Sequence, residues 1–201
     1  MTDWKRVLDV AVAGPLLVVT APIQGAVAVA VVARLGRPVL FRQRRPGRDG
    51  VPFTIFKFRT MLPVDAATGR VDDAARMTRL GRFLRATSLD ELPTLVNVLR
   101  GDMSLVGPRP LLMAYLPRYS ATQARRHEVR PGLTGLAQVS GRNAVGWDER
   151  LALDVEYVDT RSMRLDLRIL ARTVGAVVRR EGISAEGEAT MPEFLGSRSA
   201  A

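Results

Sequence analysis

Asp90 and Glu91 are adjacent carboxylates within Ser88–Pro93, which reads SLDELP. Neighbouring positions on an α-helix diverge by about 100°, so such a pair is poorly placed to flank one bond as opposed acid and base. Divided labour suits it better, with one carboxylate attacking an electrophile and the other holding a cation. The plainer use is as capping charges at the start of a helix. Two helix registers fit. Ser88 and Glu91 have the spacing of a capping box, whereas a start at or near Asp90 puts Pro93 in the first turn, where its missing N–H costs nothing. Either register places Asp90 at the positive end of a helix and predicts an ionised, nucleophilic carboxylate. Arg109, in GPRP, is a cation suited to phosphate.

The elements that must position these groups follow from periodicity. Leu92, Leu95, Val96 and Leu99 form the buried stripe of a helix that stops at Gly101, and Asp102–Pro110 is then a rigid loop delivering Arg109. Upstream, Val39–Phe41 and Phe53–Phe58 read as strands joined by the turn-rich, basic RQRRPGRDG, a β-hairpin. Lys57 and Arg59 are two apart and share a face on an extended strand, where they either grip an anion together or are edge charges that discourage strand pairing. Pro63–Ala75 is polar and predicts an exposed loop able to act as a lid. Met77, Leu80, Phe83 and Leu84 recur at helical spacing, with Arg76, Arg79, Arg82 and Arg85 around the polar side. That pattern suits a surface helix lying on anionic lipid, or ordinary solvated arginines.

The 30 Lys and Arg against 20 Asp and Glu give a net charge of +10, which calls for an anionic partner. Cysteine is absent and His127 is the single histidine, so thiol chemistry and Cys-containing zinc sites are excluded. Beside Arg125 and Arg126, His127 reads as a surface residue rather than a catalyst. Aromatic residues are 5% of the chain and form no stacking platform, so nucleic acid is not an expected partner and the charge points to membrane and phosphate. Val10–Ala33 is almost wholly apolar, about the length of a bilayer span, yet Pro15 and especially Pro22 interrupt it. Lys5 and Arg6 precede the run while Arg34 and Arg37 follow it, which favours both ends on the cytoplasmic side. A re-entrant helix that dips into one leaflet satisfies both observations; a kinked transmembrane helix is the alternative.

Beyond Pro110, Leu111–Tyr119 and Thr122–Val129 are short helical candidates, and Pro131–Asn143 is glycine-rich with Arg142 among its polar groups. Trp147 to Val158 and Leu165 to Val178 carry helical apolar stripes, the second on a basic helix. The expected architecture is mainly α with a small β-hairpin (α+β). Its parts are a helix-break-helix over 1–36, re-entrant or a kinked span, a domain continuous with it over 37–182, amphipathic surface helices, and a flexible tail over 183–201.

The broken membrane segment is followed by KFRTM, SLDELP, NVLRGDMSLVGPRP, VRPGLTGLAQVSGRN and LDVEYV. Together these resemble the bacterial sugar transferase family, the monotopic phosphoglycosyl transferases, in its minimal, PglC-like type without an additional amino-terminal membrane domain. The resemblance covers about Trp4 to Gly182. It implies transfer of a sugar 1-phosphate from a UDP-sugar to polyprenyl phosphate, usually undecaprenyl phosphate, with release of UMP, the first membrane step of glycoconjugate synthesis. It implies a ping-pong route in which Asp90 is the nucleophile and forms a phosphosugar-aspartyl intermediate, with Glu91 as ligand to Mg²⁺. Lys57, Arg59, Arg85, Arg109 and Arg142 become candidate phosphate and nucleotide contacts, and Pro22 the helix-breaking proline, although Ala21 stands where the minimal enzymes carry Ser. The implied location is the cytoplasmic face of the bacterial inner membrane, against anionic lipid. The implied donor is an N-acetylated UDP-hexose, with UDP-glucose or UDP-galactose as alternatives. From the residues alone, a non-catalytic basic membrane adaptor and a nucleotide-sugar diphosphate hydrolase remain competing readings.

Overall fold

The computed structural model describes residues 3–140, 146–179 and 193–196. Two helices, α1 (Asp3–Val19) and α2 (Ala21–Leu35), open the chain and meet at a 59° bend. Pro22 lies in the first turn of α2, where a proline removes no helical hydrogen bond. The break is tied by a hydroxyl all the same, one position before Ala21: Thr20 Oγ1 donates to Leu16 O at 2.6 Å and accepts from Gln24 Nε2 at 3.0 Å. No single described helix is long and apolar enough to cross a membrane, but the bent pair together has the length and composition to do so. It keeps Val18, Val19 and Val29 at least 70% exposed, large apolar side chains that water alone does not favour.

The cations before that segment do not face outward. Lys5 is 6% exposed, and its ammonium lies 2.5 Å from Asp166 and 2.9 Å from the Tyr157 hydroxyl. Arg6 donates to Val98 O and Leu99 O at 2.6 and 2.5 Å. Both charges are therefore structural ties between the first helix and the body of the protein, and the charge balance read as flanking the apolar run is carried by Arg34 and Arg37, which are exposed.

Strands β1 (Leu40–Pro46) and β2 (Pro52–Phe58) form the expected antiparallel hairpin, with Leu40 opposite Phe58 and Pro46 opposite Pro52. The polar segment that follows holds two short helical pieces, one of them α3 (Asp73–Arg76), and is largely exposed, as its composition predicts. Helix α4 (Arg79–Ala86) is capped by Thr78, whose hydroxyl accepts from Gly81 N at 2.9 Å. Gly81 has no room for a side chain, since a Cβ there would sit 1.9 Å from Thr60 O. A 3₁₀ turn, Leu89–Thr94, leads into α5 (Leu95–Arg100), which Gly101 ends in the left-handed conformation.

A second, parallel pair escaped the sequence reading: β3 (Ser104–Val106) beside β4 (Gly132–Thr134). Between them lie a 3₁₀ turn, Met113–Arg118, and α6 (Ala121–Ala124); after them come α7 (Leu136–Ser140), α8 (Trp147–Thr160) and α9 (Met163–Arg179). One core joins the ends of the chain, packing Ala13 of α1 with Ile55, Leu95, Met103, Tyr157 and Ile169. A smaller core holds Val27 and Val31 of α2 against Phe58 and Leu84. Of the 183–201 segment expected to be a flexible tail, residues 193–196 are described, and within them Phe194 is packed, 2% exposed among Tyr115, Tyr119 and Trp147, while Leu195 is exposed.

Candidate active site

The acid pair is presented by a sharp turn. Ser88 adopts φ 55° and ψ 15°, a conformation uncommon for a non-glycine residue. It ends α4 and aims the 3₁₀ turn that carries Asp90 and Glu91. The capping box does not form, because Ser88 in this conformation makes no side-chain cap; the helical segment starts next to Asp90, as the other register expects, but its first turns are 3₁₀ and run on into α5. The turn is pinned to β2: Thr94 Oγ1 donates to Phe56 O at 2.8 Å, while Asn97 accepts from Phe56 N at 3.1 Å and donates to Thr54 O at 2.7 Å. Both residues are fully buried, and their only trace in the sequence is a polar side chain interrupting an apolar stripe.

Glu91 is clamped. Its Oε1 accepts from Lys57 Nζ at 2.5 Å and from Arg109 Nη2 at 2.7 Å, in a part-buried setting where charge-assisted bonds are strong. Burial opposes its ionisation, but the Arg109 and Lys57 charges outweigh burial and hold the carboxyl below the usual range. Asp90 behaves oppositely. At 8% exposure, its carboxylate has no hydrogen bond or ion pair among the described residues. Burial, then the adjacent Glu91 charge, push its pKa up to about 6, against the pull of Lys57, Arg85 and Arg109. Desolvation and a like charge thus oppose the ionised form that a helix end is expected to favour.

Arg85, on α4, donates through Nε to Thr60 Oγ1 at 3.2 Å, and the charges of Asp90 and Asp73 both act on its guanidinium. Asp73 belongs to α3, so the charge of the exposed segment reaches Arg85. A cleft of about 420 Å³ opens beside Glu91, lined by Arg45, Lys57 and Arg109 over Ile55 and Met103. Arg45 was not foreseen. It comes from β1, its pKa is lowered to about 10 by burial and by Arg109, and its Nε is buried without a hydrogen-bond partner among the described residues. Three cations around one carboxylate leave the cleft with excess positive charge, a setting for a phosphorylated ligand.

Arg59 is not in the cleft with Lys57. The strand stops at Phe58, which ends the alternation that would have kept the two on one face, and the Arg59 guanidinium turns back to the end of α2, donating to Leu35 O, to Gly36 O at 2.7 Å and to Arg37 O at 3.2 Å. It caps a helix end, where a cation is favourable. Arg59→Met is expected to lower stability by about 1–2 kcal/mol while leaving the KM of any anionic substrate unchanged, as read by denaturant titration alongside kinetics. Arg142 lies outside the described residues. His127 stands apart from the acids, its ring 5.6 Å from that of Tyr119 and its pKa pushed down to about 4 by burial and then by Arg126.

A divalent ion is compatible with the acids. Glu91 Oε2 and the Asp90 carboxylate are unengaged by described residues, and Mg²⁺ is commonly held by one or two carboxylates plus substrate phosphates. Among the described residues no group of three or more His, Cys, Asp or Glu side chains is arranged to hold a metal, so the remaining ligands would be water and phosphate oxygens.

The bacterial sugar transferase profile matches residues 1–180. The chain is 50% identical over 194 residues to "Uncharacterized sugar transferase EpsL" of Bacillus subtilis, covering 96% of each. It is 48% identical to the UDP-glucose:undecaprenyl-phosphate glucose-1-phosphate transferase of Caulobacter vibrioides, covering 87% of this chain and 69% of that one. It is 39% identical to the undecaprenyl-phosphate galactose phosphotransferase of Salmonella typhimurium, of whose length it spans 41%. With a family match across almost its whole length and the acid pair seated in a cationic cleft, the chain belongs to the bacterial sugar transferase family.

Proposed function

We propose that this protein transfers a sugar 1-phosphate from a UDP-sugar to a polyprenyl phosphate by two displacements at phosphorus, with Asp90 as the intermediate carrier. The observation that carries the reading is the contrast within the acid pair: Glu91 is locked between Lys57 and Arg109, while Asp90 beside it has no ion pair among the described residues. An Asp90 oxygen attacks the sugar-bearing phosphorus; a phosphorus–oxygen bond forms, the diphosphate bond breaks, and UMP leaves with the electron pair. The acceptor's phosphate oxygen then attacks the same phosphorus and returns Asp90 to its carboxylate form. Lys57, Arg109 and Arg45 bind and orient the diphosphate, and Arg85 faces the nucleophile. Mg²⁺, held by Glu91, would supply charge neutralisation at the departing phosphate.

The names of the relatives favour UDP-glucose or UDP-galactose as donor over the N-acetylated hexose expected from the minimal enzymes. The bent helix pair, with its exposed valines, supports seating on the cytoplasmic face of a membrane, which would bring Asp90 to the height of a lipid-borne phosphate. Purified protein in lipid nanodiscs with Mg²⁺ and each UDP-sugar should release about one UMP per enzyme without acceptor, and turn over when undecaprenyl phosphate is added. Continuous UMP release without acceptor and without lipid product would select hydrolysis instead. Salt-sensitive lipid binding with no UMP release would select a non-catalytic adaptor.

A further inference from the structure

Arg109 is flanked by Pro108 and Pro110, which stiffen the tripeptide but have no N–H, so its hydrogen-bonded ties to the rest of the protein run mainly through its carbonyls. Its three carbonyls are taken by distant groups. Pro108 O accepts from Gly132 N at 2.9 Å, Arg109 O accepts from Arg126 Nη2 at 2.7 Å, and Pro110 O lies 3.5 Å from Arg45 Nη1. Arg126 is 2% exposed and Asp154, on α8, is 3% exposed. Asp154 Oδ2 accepts from both Nε and Nη2 of Arg126, at 3.0 and 2.7 Å. The chain of contacts runs from Asp154 through Arg126 to the Arg109 backbone, and from the Arg109 side chain to Glu91.

A buried ion pair is an expensive way to fill space, since apolar side chains of similar volume often serve stability as well or better. What apolar residues cannot supply is a donor for the Arg109 carbonyl. We propose that Arg126 and Asp154 are positioning residues, whose role is to fix the backbone of Arg109 so that its guanidinium meets Glu91 and the donor phosphates. The proposal rests on the transferase reading for its kinetic consequences, but its structural content is separate.

The test compares wild type with Arg126→Met/Asp154→Leu, Arg126→Lys, Arg109→Ala, and the triple variant combining the first and third. The paired apolar replacement removes both buried charges together and is expected to keep the thermal midpoint of the wild type or exceed it. It should nevertheless lower kcat/KM for the UDP-sugar on the order of 100-fold, as a misplaced binding group does. Arg126→Lys, which retains a donor, should recover part of the loss. In the Arg109→Ala background the paired replacement should cost nothing more, because the groups act as one unit. Losses that multiply in the triple variant would overturn the proposal, as would a paired variant with wild-type kcat/KM. Hydrogen exchange supplies a readout independent of turnover. Faster exchange in the paired variant, confined to the segment around Arg109, is expected, and unchanged exchange there counts against the proposal even if wild type releases no UMP.

Discussion

Asp90→Asn is expected to reduce turnover by about 10⁴-fold or more and to abolish the single-turnover release of UMP seen without acceptor. The amide matches the carboxylate in size, so the loss reports the missing nucleophile and not a cavity. In the wild type, kcat/KM should rise with pH through a midpoint near 6, because Asp90 must shed its proton to attack. The same shift sets the sign of a stability effect. The ordinary carboxyl value is 3.8, so the folded protein holds this proton more tightly than the unfolded chain does. Its contribution to stability is present below about pH 3.8 and lost as pH rises through about 6. Asp90→Asn should therefore melt a few degrees above wild type at pH 7.5, with the difference shrinking toward pH 4. An inactive variant that is less stable at pH 7.5 would instead indicate that Asp90 is a structural acid.

Glu91→Gln is expected to lower kcat on the order of 10²–10³-fold and to raise the Mg²⁺ concentration needed for half-maximal rate. Removing this charge leaves Lys57 and Arg109, now 2.5 and 2.7 Å from Glu91 Oε1, without their shared anion. Binding of a nucleotide phosphate in the absence of metal should consequently tighten, which calorimetry with UMP and EDTA would reveal. The acid limb should move below pH 6, since the Glu91 charge is one of the two causes that raise Asp90. A kcat loss with an unmoved limb and unchanged UMP affinity would remove Glu91 from the site's electrostatics. These three readouts separate a ligand and charge-setting role from a merely local packing one.

Much of this site was legible as a sequence because its parts are local. The acids are adjacent, Arg109 lies on a loop bounded by Gly101 and Pro110, and Lys57 sits on a strand with clear turn signals at its start. Errors arose where tertiary contacts overrule local pattern. Ser88 has the spacing of a cap, yet it takes a left-handed turn ahead of a 3₁₀ segment that Thr94 and Asn97 tie to β2. The face shared by Lys57 and Arg59 held only as long as the strand, which stops one residue too soon. Strands β3 and β4 have three residues each and pair across a long separation, too little for periodicity to register. Phe194 is a lone aromatic in a polar segment, and nothing local marks the aromatic cage that receives it. A cation beside an apolar run reads the same whether it meets a lipid headgroup or a buried carboxylate, and for Lys5 the carboxylate lies 161 residues away.

That separation has a consequence in time. The first helix leaves the ribosome long before Asp166 is synthesised; at about 5–20 residues per second the delay is roughly 8–30 s. Until then Lys5 lacks its carboxylate, whereas Asp9 finds Ser104 and the Leu105 amide, its partners at 2.9 Å, much sooner. Arg6 and Asp9 can tie the first helix to α5 and β3 once those are made, and Lys5 adds the tie to α9 afterwards. The opening helix is thus fastened in stages along the chain, and α9 adds the buried ion pair with Lys5 after the ties to α5 and β3 are in place.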